Sequence, residues 1–169
     1  PFASAAAAAL LAIVATPQLM PIEYQPAPGE VRVVTLDGRD QLVMNGGTRI
    51  KLSGFGHRTV RLQSGQVLVR LLEPGASKIA LLSGDLKLID VGTIFQVTRD
   101  VRDTRVRVSE GAVVADPEGA RLQLDPGEGL DTSDGATMLQ SMPADPGSVG
   151  GFERGQLTYV DEPLDHVVA

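Results

Sequence analysis

The sequence predicts an all-β fold, a solenoid-like or sandwich stack of short strands. Three observations carry this. Turn residues recur with a steady beat: Gly38, Gly47, Gly56, Gly65, Gly75, Gly84 and Gly92 stand 9, 9, 9, 10, 9 and 8 residues apart, and Gly111, Gly119, Gly127 and Gly135 continue at intervals of 8. Turns every 8–12 residues or so mark an all-β sandwich, barrel or solenoid. Proline is absent from 29 to 73 and again from 75 to 116, as hydrogen-bonded strands require. The composition is 43% hydrophobic but only 4% aromatic, without Trp, so the core must be built from Val, Leu, Ile and Ala. That suits a thin β structure.

Residues 1–20 come first, an apolar segment without a charge in which FASAAAAALLAIVA spans residues 2–15. A bilayer crossing needs about 20 apolar residues and a signal-peptide core about 7–15. The chain opens on Pro instead of Met, and the segment is read as the end of a truncated transmembrane helix. A signal-peptide remnant and a buried Ala-rich helix stay open as alternatives. Residues 21–30 read as a Pro-rich spacer, since Pro17, Pro21, Pro26 and Pro28 put four prolines in twelve residues and hold the chain extended.

The all-β domain is expected over 31–138, with strands at 31–36, 41–44, 49–52, 58–62, 66–72, 80–82, 86–90, 94–98, 105–108, 112–115 and 121–124. The loops are too short for crossover helices, so neighbours should pair antiparallel or stack as successive rungs. The near-constant period favours the solenoid-like stack. Val106 and Val108 alternate with Arg105 and Arg107, which gives one dry and one wet face; Phe95 should point into the core and the two arginines out. Residues 139–151, rich in Pro, Gly and Ser, read as a linker. The pattern then changes over 152–169. A strand is expected at 156–160, and Asp161, Glu162, Pro163 and Leu164 form a helix start with an Asp cap and a first-turn proline. This is the opening of a second domain.

Several function classes are excluded or weakened. The net charge of −6 is concentrated: seven acidic residues and one basic residue lie between Glu110 and Asp134, and the rest of the chain is balanced. Nucleic-acid binding needs a basic patch against the phosphates. There is no cysteine, hence no disulfide, thiolate metal site or Cys nucleophile. His57 and His166 lack a third partner for a metal or catalytic site. Asp116, Glu118, Asp125, Glu128, Asp131 and Asp134 carry no D-x-D-x-D-G run and read as a solvated acidic edge, not a calcium site. No G-x-S-x-G, S-x-x-K or phosphate-loop motif occurs, and six aromatic residues are too few to wall a glycosidase cleft.

Five short motifs add a resemblance. The first is Val91-Gly92-Thr93-Ile94-Phe95-Gln96-Val97 with Val106-Arg107-Val108-Ser109-Glu110-Gly111-Ala112-Val113. The others are the turn Leu36-Asp37-Gly38, the run from Arg58 through Val60, Leu62 and Gly65 to Val67, the turn Leu124-Asp125-Pro126-Gly127-Glu128, and Gly155-Gln156-Leu157-Thr158-Tyr159 with Pro163-Leu164. In this order they resemble the FecR family, membrane-bound anti-sigma regulators of bacterial cell-surface signalling. Arg39 stands where the family has Ser, Gln66 where it has an acid, Leu68 where Phe is common and Phe152 where Trp is usual.

The resemblance implies signalling without catalysis and without a cofactor. It makes 152–169 the start of an α+β secretin/TonB-like domain and places the chain in the bacterial inner membrane, single-pass, with the all-β region in the periplasm. The implied partners are the signalling domain of a TonB-dependent outer-membrane receptor and, through a cytoplasmic domain not in this chain, an extracytoplasmic-function sigma factor, as in the regulation of iron uptake. The alternative is an envelope-located FecR-type β module that binds glycan or protein and has no sigma partner. Two docking modes fit edge-rich β structure: strand addition, for which Gln156, Leu157 and Tyr159 are the candidates, and an acidic face, for which Asp125 and Glu128 are.

Overall fold

The structure, a computed structural model, describes residues 20–36, 40–54, 58–72, 78–90 and 92–155. Thirteen strands occur among them: β1 (Ile22–Tyr24), β2 (Arg32–Thr35), β3 (Gln41–Met44), β4 (Arg49–Ser53), β5 (Thr59–Arg70), β6 (Ala80–Ser83), β7 (Leu86–Asp90), β8 (Ile94–Asp100), β9 (Asp103–Glu110), β10 (Val113–Ala115), β11 (Leu122–Leu124), β12 (Glu128–Ser133) and β13 (Ser141–Pro143). Two 3-10 turns follow, Pro146–Ser148 and Gly151–Arg154. The all-β expectation holds.

The strands do not stack as rungs. They form two sheets that share β5 and nearly close on one another. The first half of β5 lies between β4 and β6 in a sheet ordered β1-β4-β5-β6-β7-β10-β11 (sheet A). Its second half lies between β3 and β8 in a sheet ordered β2-β3-β5-β8-β9-β12-β13 (sheet B). Every pair is antiparallel except β5 with β6. A regular glycine beat fixes turn spacing but not pairing partners, and hairpins share that beat with rungs. Here the hairpins prevail.

The passage of β5 from one sheet to the other is built by a bulge. Arg49 pairs with Ser64 while Ile50 pairs with Leu62, so one extra residue enters β5. The inward positions switch from Val60 and Leu62 to Val67 and Val69, because a single-residue slip reverses the faces. This break in period is why the sequence reads there as two strands, 58–62 and 66–72. Gly65 sits at the bend with φ +90°, and a Cβ on it would lie 2.6 Å from the Thr48 backbone. The Thr48 hydroxyl donates to the Gln66 carbonyl and accepts the Gln66 N–H, both at 3.0 Å, which ties the 45–48 turn to the bend.

One core fills the space between the sheets. Leu52, Leu62, Leu81 and Leu88 from sheet A meet Leu42, Val67, Phe95 and Val106 from sheet B, each almost fully buried. Burial of such side chains stabilises by roughly 1.5–3 kcal/mol apiece. Phe95 is inward, Arg105 is exposed, and Arg107 is half-buried. A second, smaller cluster lies on the outer face of sheet B: Val43, Leu68 and Val149, with Ile94 and Phe152 packed against it.

Two expectations need correction. Part of the 21–30 spacer is a strand: β1 pairs with β4, and Pro26 is buried. The 139–151 linker is packed, with β13 paired to β12 and Val149 only 8% exposed. Composition flags both as loops because prolines bound these short strands. Residues 1–19, the strand at 156–160 and the helix start after it lie outside the described residues. Among the described residues no helix is long and apolar enough to cross a membrane.

The bend yields a paired prediction. Gly47→Ala should cost about 1 kcal/mol for its left-handed backbone alone, since nothing lies within 4 Å of a Cβ there. Gly65→Ala should cost about 1–3 kcal/mol more, the price of forcing a methyl into Thr48. Urea denaturation of both variants measures the difference, and equal costs would show that the crossing tolerates a side chain.

Candidate interaction surfaces

The acidic stretch is not a bare edge. Asp134 grips Arg99 with a two-pronged contact, Nη1 to Oδ1 at 3.1 Å and Nη2 to Oδ2 at 2.7 Å. Asp131 pairs with Arg107 at 2.5 Å, and Glu118 pairs with Lys87. The Asp116 carboxylate accepts the N–H groups of Gly119 and Ala120, closing its own loop. The acids that crowd one part of the sequence therefore meet cations from other strands. Charge counting along the chain cannot see this, because the partners are 24 to 35 residues away.

Asp125 and Glu128 hold one turn. The Glu128 carboxylate accepts the Asp125 N–H at 2.9 Å, and Asp125 accepts from the Gln123 amide at 2.7 Å. Asp125 remains exposed beside this work. Gln156, Leu157 and Tyr159 lie outside the described residues, as do His57 and His166. Among the described residues no group of three or more His, Asp or Glu could hold a metal ion.

At the Arg99 end the two sheets are clamped. Asp134 reaches over the Gly84-Asp85 turn of sheet A, and the Gly135 N–H donates to the Asp85 carboxylate at 3.1 Å. Arg99 also donates to Thr104, whose hydroxyl shares a 2.8 Å hydrogen bond with Ser83. Beside them opens a hollow of about 320 Å³, lined among others by Ser83, Thr104, Thr132, Ser133, Asp85 and Asp134. Its hydroxyls and carboxylates suit a small polar ligand. At the opposite end buried Asp40 accepts from Arg58 at 3.1 Å and from the Leu72 N–H at 3.0 Å.

Four strands are sheet edges among the described residues: β1, β2, β11 and β13. Three of them are blunted. Each is three residues long, with Pro21 before β1, Pro126 after β11 and Pro143 ending β13. β2 is longer, free of proline and rich in β-branched residues. The Leu36 N–H donates inward to Asp40, so by alternation the backbone groups of Val31, Val33 and Thr35 point away from β3. Val31 and Val33 are 43% and 52% exposed. The Val-Arg-Val-Val-Thr run was the sequence signal for this edge; its lack of an outer partner could not be read from it.

The sequence matches the FecR protein family over residues 23–114, more than half of the chain. The chain belongs to the FecR family. Gly92, Thr93 and Gly111 of the first motif meet at one turn. Buried Asp90 accepts the Gly92 N–H at 3.0 Å and the Thr93 hydroxyl, which locks the turn into β8. Gly111 has φ +72°, and a Cβ there would collide with the Gly92 carbonyl oxygen. The signature glycines touch one another.

No curated protein matches the chain. Two crystal structures of a candidate anti-sigma factor from Parabacteroides distasonis share the fold, both with TM-score 0.73 and 18% identity. The match covers 88% of this chain and 72% of the other in one, and 87% and 71% in the second.

Arg99 holds the Asp134 carboxyl below its ordinary value, chiefly through the side-chain hydrogen bond. The unfolded chain therefore binds that proton more readily, and the stabilisation is complete above the ordinary aspartate value of about 3.9 and lost as pH falls through the lowered one. Asp134→Asn should lower the urea midpoint at pH 7, and the gap to the unsubstituted chain should close in strong acid. A gap independent of pH would remove the ion pair from the account.

Proposed function

We propose that this chain is the envelope-side part of a FecR-type regulator that acts by binding and not by catalysis. It relays a signal from the signalling domain of a TonB-dependent outer-membrane receptor to an extracytoplasmic-function sigma factor. Membership of the FecR family carries this reading. The candidate anti-sigma factors that share the fold lend it support by analogy. In this reading residues 1–20 anchor the chain in the inner membrane, the β-domain stands in the periplasm, and the sigma factor is held by a cytoplasmic domain outside this chain. Iron supply is the class of signal that the family resemblance suggests.

The open edge of β2 offers a docking mode for such a receptor domain. An added strand would take the outward N–H and C=O groups of Val31, Val33 and Thr35, and Val31 and Val33 would give it apolar side-chain contacts. The hydroxyl-lined hollow favours a second reading, an envelope module that binds glycan and has no sigma partner.

A pull-down of the full chain with a receptor signalling domain, at low and moderate salt, tests the first reading, and absence of binding at both salts by the folded chain would overturn it. Val33→Pro removes an outward donor without touching the β2–β3 ladder, so it should weaken binding about tenfold or more and leave the fold intact. Met142→Lys on the β13 edge should change binding little. Residues 1–22 fused to a reporter, with the upstream residues restored, should retain it in the inner membrane; release of soluble reporter would mark a signal peptide.

A further inference from the structure

We infer that residues 144–155 form a releasable strap on the outer face of sheet B, and that its seating and unseating couples the β-domain to the residues after Gly155. The inference rests on the relay reading and supplies it with a moving part.

The strap is held differently from everything beneath it. After Pro143 its one backbone hydrogen bond to the sheets is Ala144 N–H to the Gly127 carbonyl, among the described contacts. The rest of its hold is through side chains. Arg70 on β5 forks onto the Glu153 carboxylate, with Nη1 to Oε1 at 2.8 Å and a second contact from Nη2. Gln96 on β8 accepts the Gly150 N–H at 2.9 Å. Val149 and Phe152 pack on Val43, Leu68 and Ile94.

That apolar seat is separate from the main core. Val43 and Leu68 face outward from β3 and β5 while their neighbours Leu42, Val67 and Val69 face inward. Lifting the strap would wet the small cluster and leave the packing between the sheets intact. The Arg70 and Glu153 side chains keep 31% and 21% of their surface in solvent, so the fork is open to screening by salt.

The strap also has joints. The 3-10 turn Gly151–Arg154 is bracketed by Gly150 and Gly155, both left-handed at φ 70° and 69°. Within it Arg154 braces back onto the Gly147 carbonyl at 3.0 Å, so the segment can move as a unit. A Cβ on Gly150 would come 3.0 Å from Leu68, which shows how closely the seated backbone lies on β5. Because β5 belongs to both sheets, a pull or a partner acting beyond Gly155 reaches the central strand through Arg70.

Amide hydrogen exchange of the full chain tests this, together with a sigma-dependent reporter in cells that carry the chain joined to its cytoplasmic domain. Strap amides, Gly150 above all, should exchange about tenfold faster than those of β8 and β9, as expected of a unit that opens by itself. High salt or Glu153→Gln should speed the strap roughly tenfold further and leave β8 and β9 unchanged. The charge-exchanged pair Arg70→Glu with Glu153→Arg should restore slow exchange. Equal protection of strap and sandwich in the unsubstituted chain, or their joint loosening in Glu153→Gln, would overturn the strap as a separate unit. Reporter output should shift in Glu153→Gln. A loosened strap with unchanged output would overturn the coupling and leave the relay reading standing, whereas an unsubstituted chain without any response would overturn both.

Discussion

The structure depends on one strand changing sheets. β5 cannot serve both sheets as a regular strand, because a regular strand would present the wrong face after the bend. An extra residue near Gln63 and a glycine at the turning point solve this, and the 45–48 turn braces the bend through Thr48. Everything else follows from that geometry. β3 and β4 flank one side of β5, β6 and β8 the other, and the two sheets fold onto a shared core. The same geometry leaves β1 and β2 at the margins, so β2 inherits an unpaired side.

Charge in this protein is used to close ends and turns. Asp134 and Arg99 clamp two turns from opposite sheets, while Asp40 gathers Arg58 and the backbone of Leu72 at the other end. The paired acids that stay exposed, such as Glu118 beside Lys87, stabilise little, because water screens the attraction. They contribute position instead. An aliphatic core with few aromatic anchors specifies shape loosely, and directional contacts at the ends fix which turns meet.

One of the motifs that mark the family sits at a locked turn, beside Asp90. Asp90, Gly92, Thr93 and Gly111 form one small contact set, in which a side chain at either glycine would disturb the approach of two strand ends or the left-handed backbone that permits it. Their wording is distinctive because such geometry tolerates few residues. The surfaces suited to binding have no such constraint. The β2 edge is an ordinary β-branched run, and the strap is a Gly-Gly-Phe-Glu segment that composition files under linker.

The sequence by itself determined the all-β class, most of the strands and the inward place of Phe95, because these follow from period, turn residues and hydrophobicity within about ten residues. It also determined the family, since five short motifs stand in a fixed order along the chain. Only the tertiary structure decided that hairpins form two sheets instead of rungs, that 58–62 and 66–72 are one bulged strand, and that the acids between Glu110 and Asp134 are largely partnered. It decided also that β2 is the open edge and that Glu153 reaches Arg70 across 83 residues. These are relations between distant segments, and local pattern carries no record of which segment will be the neighbour.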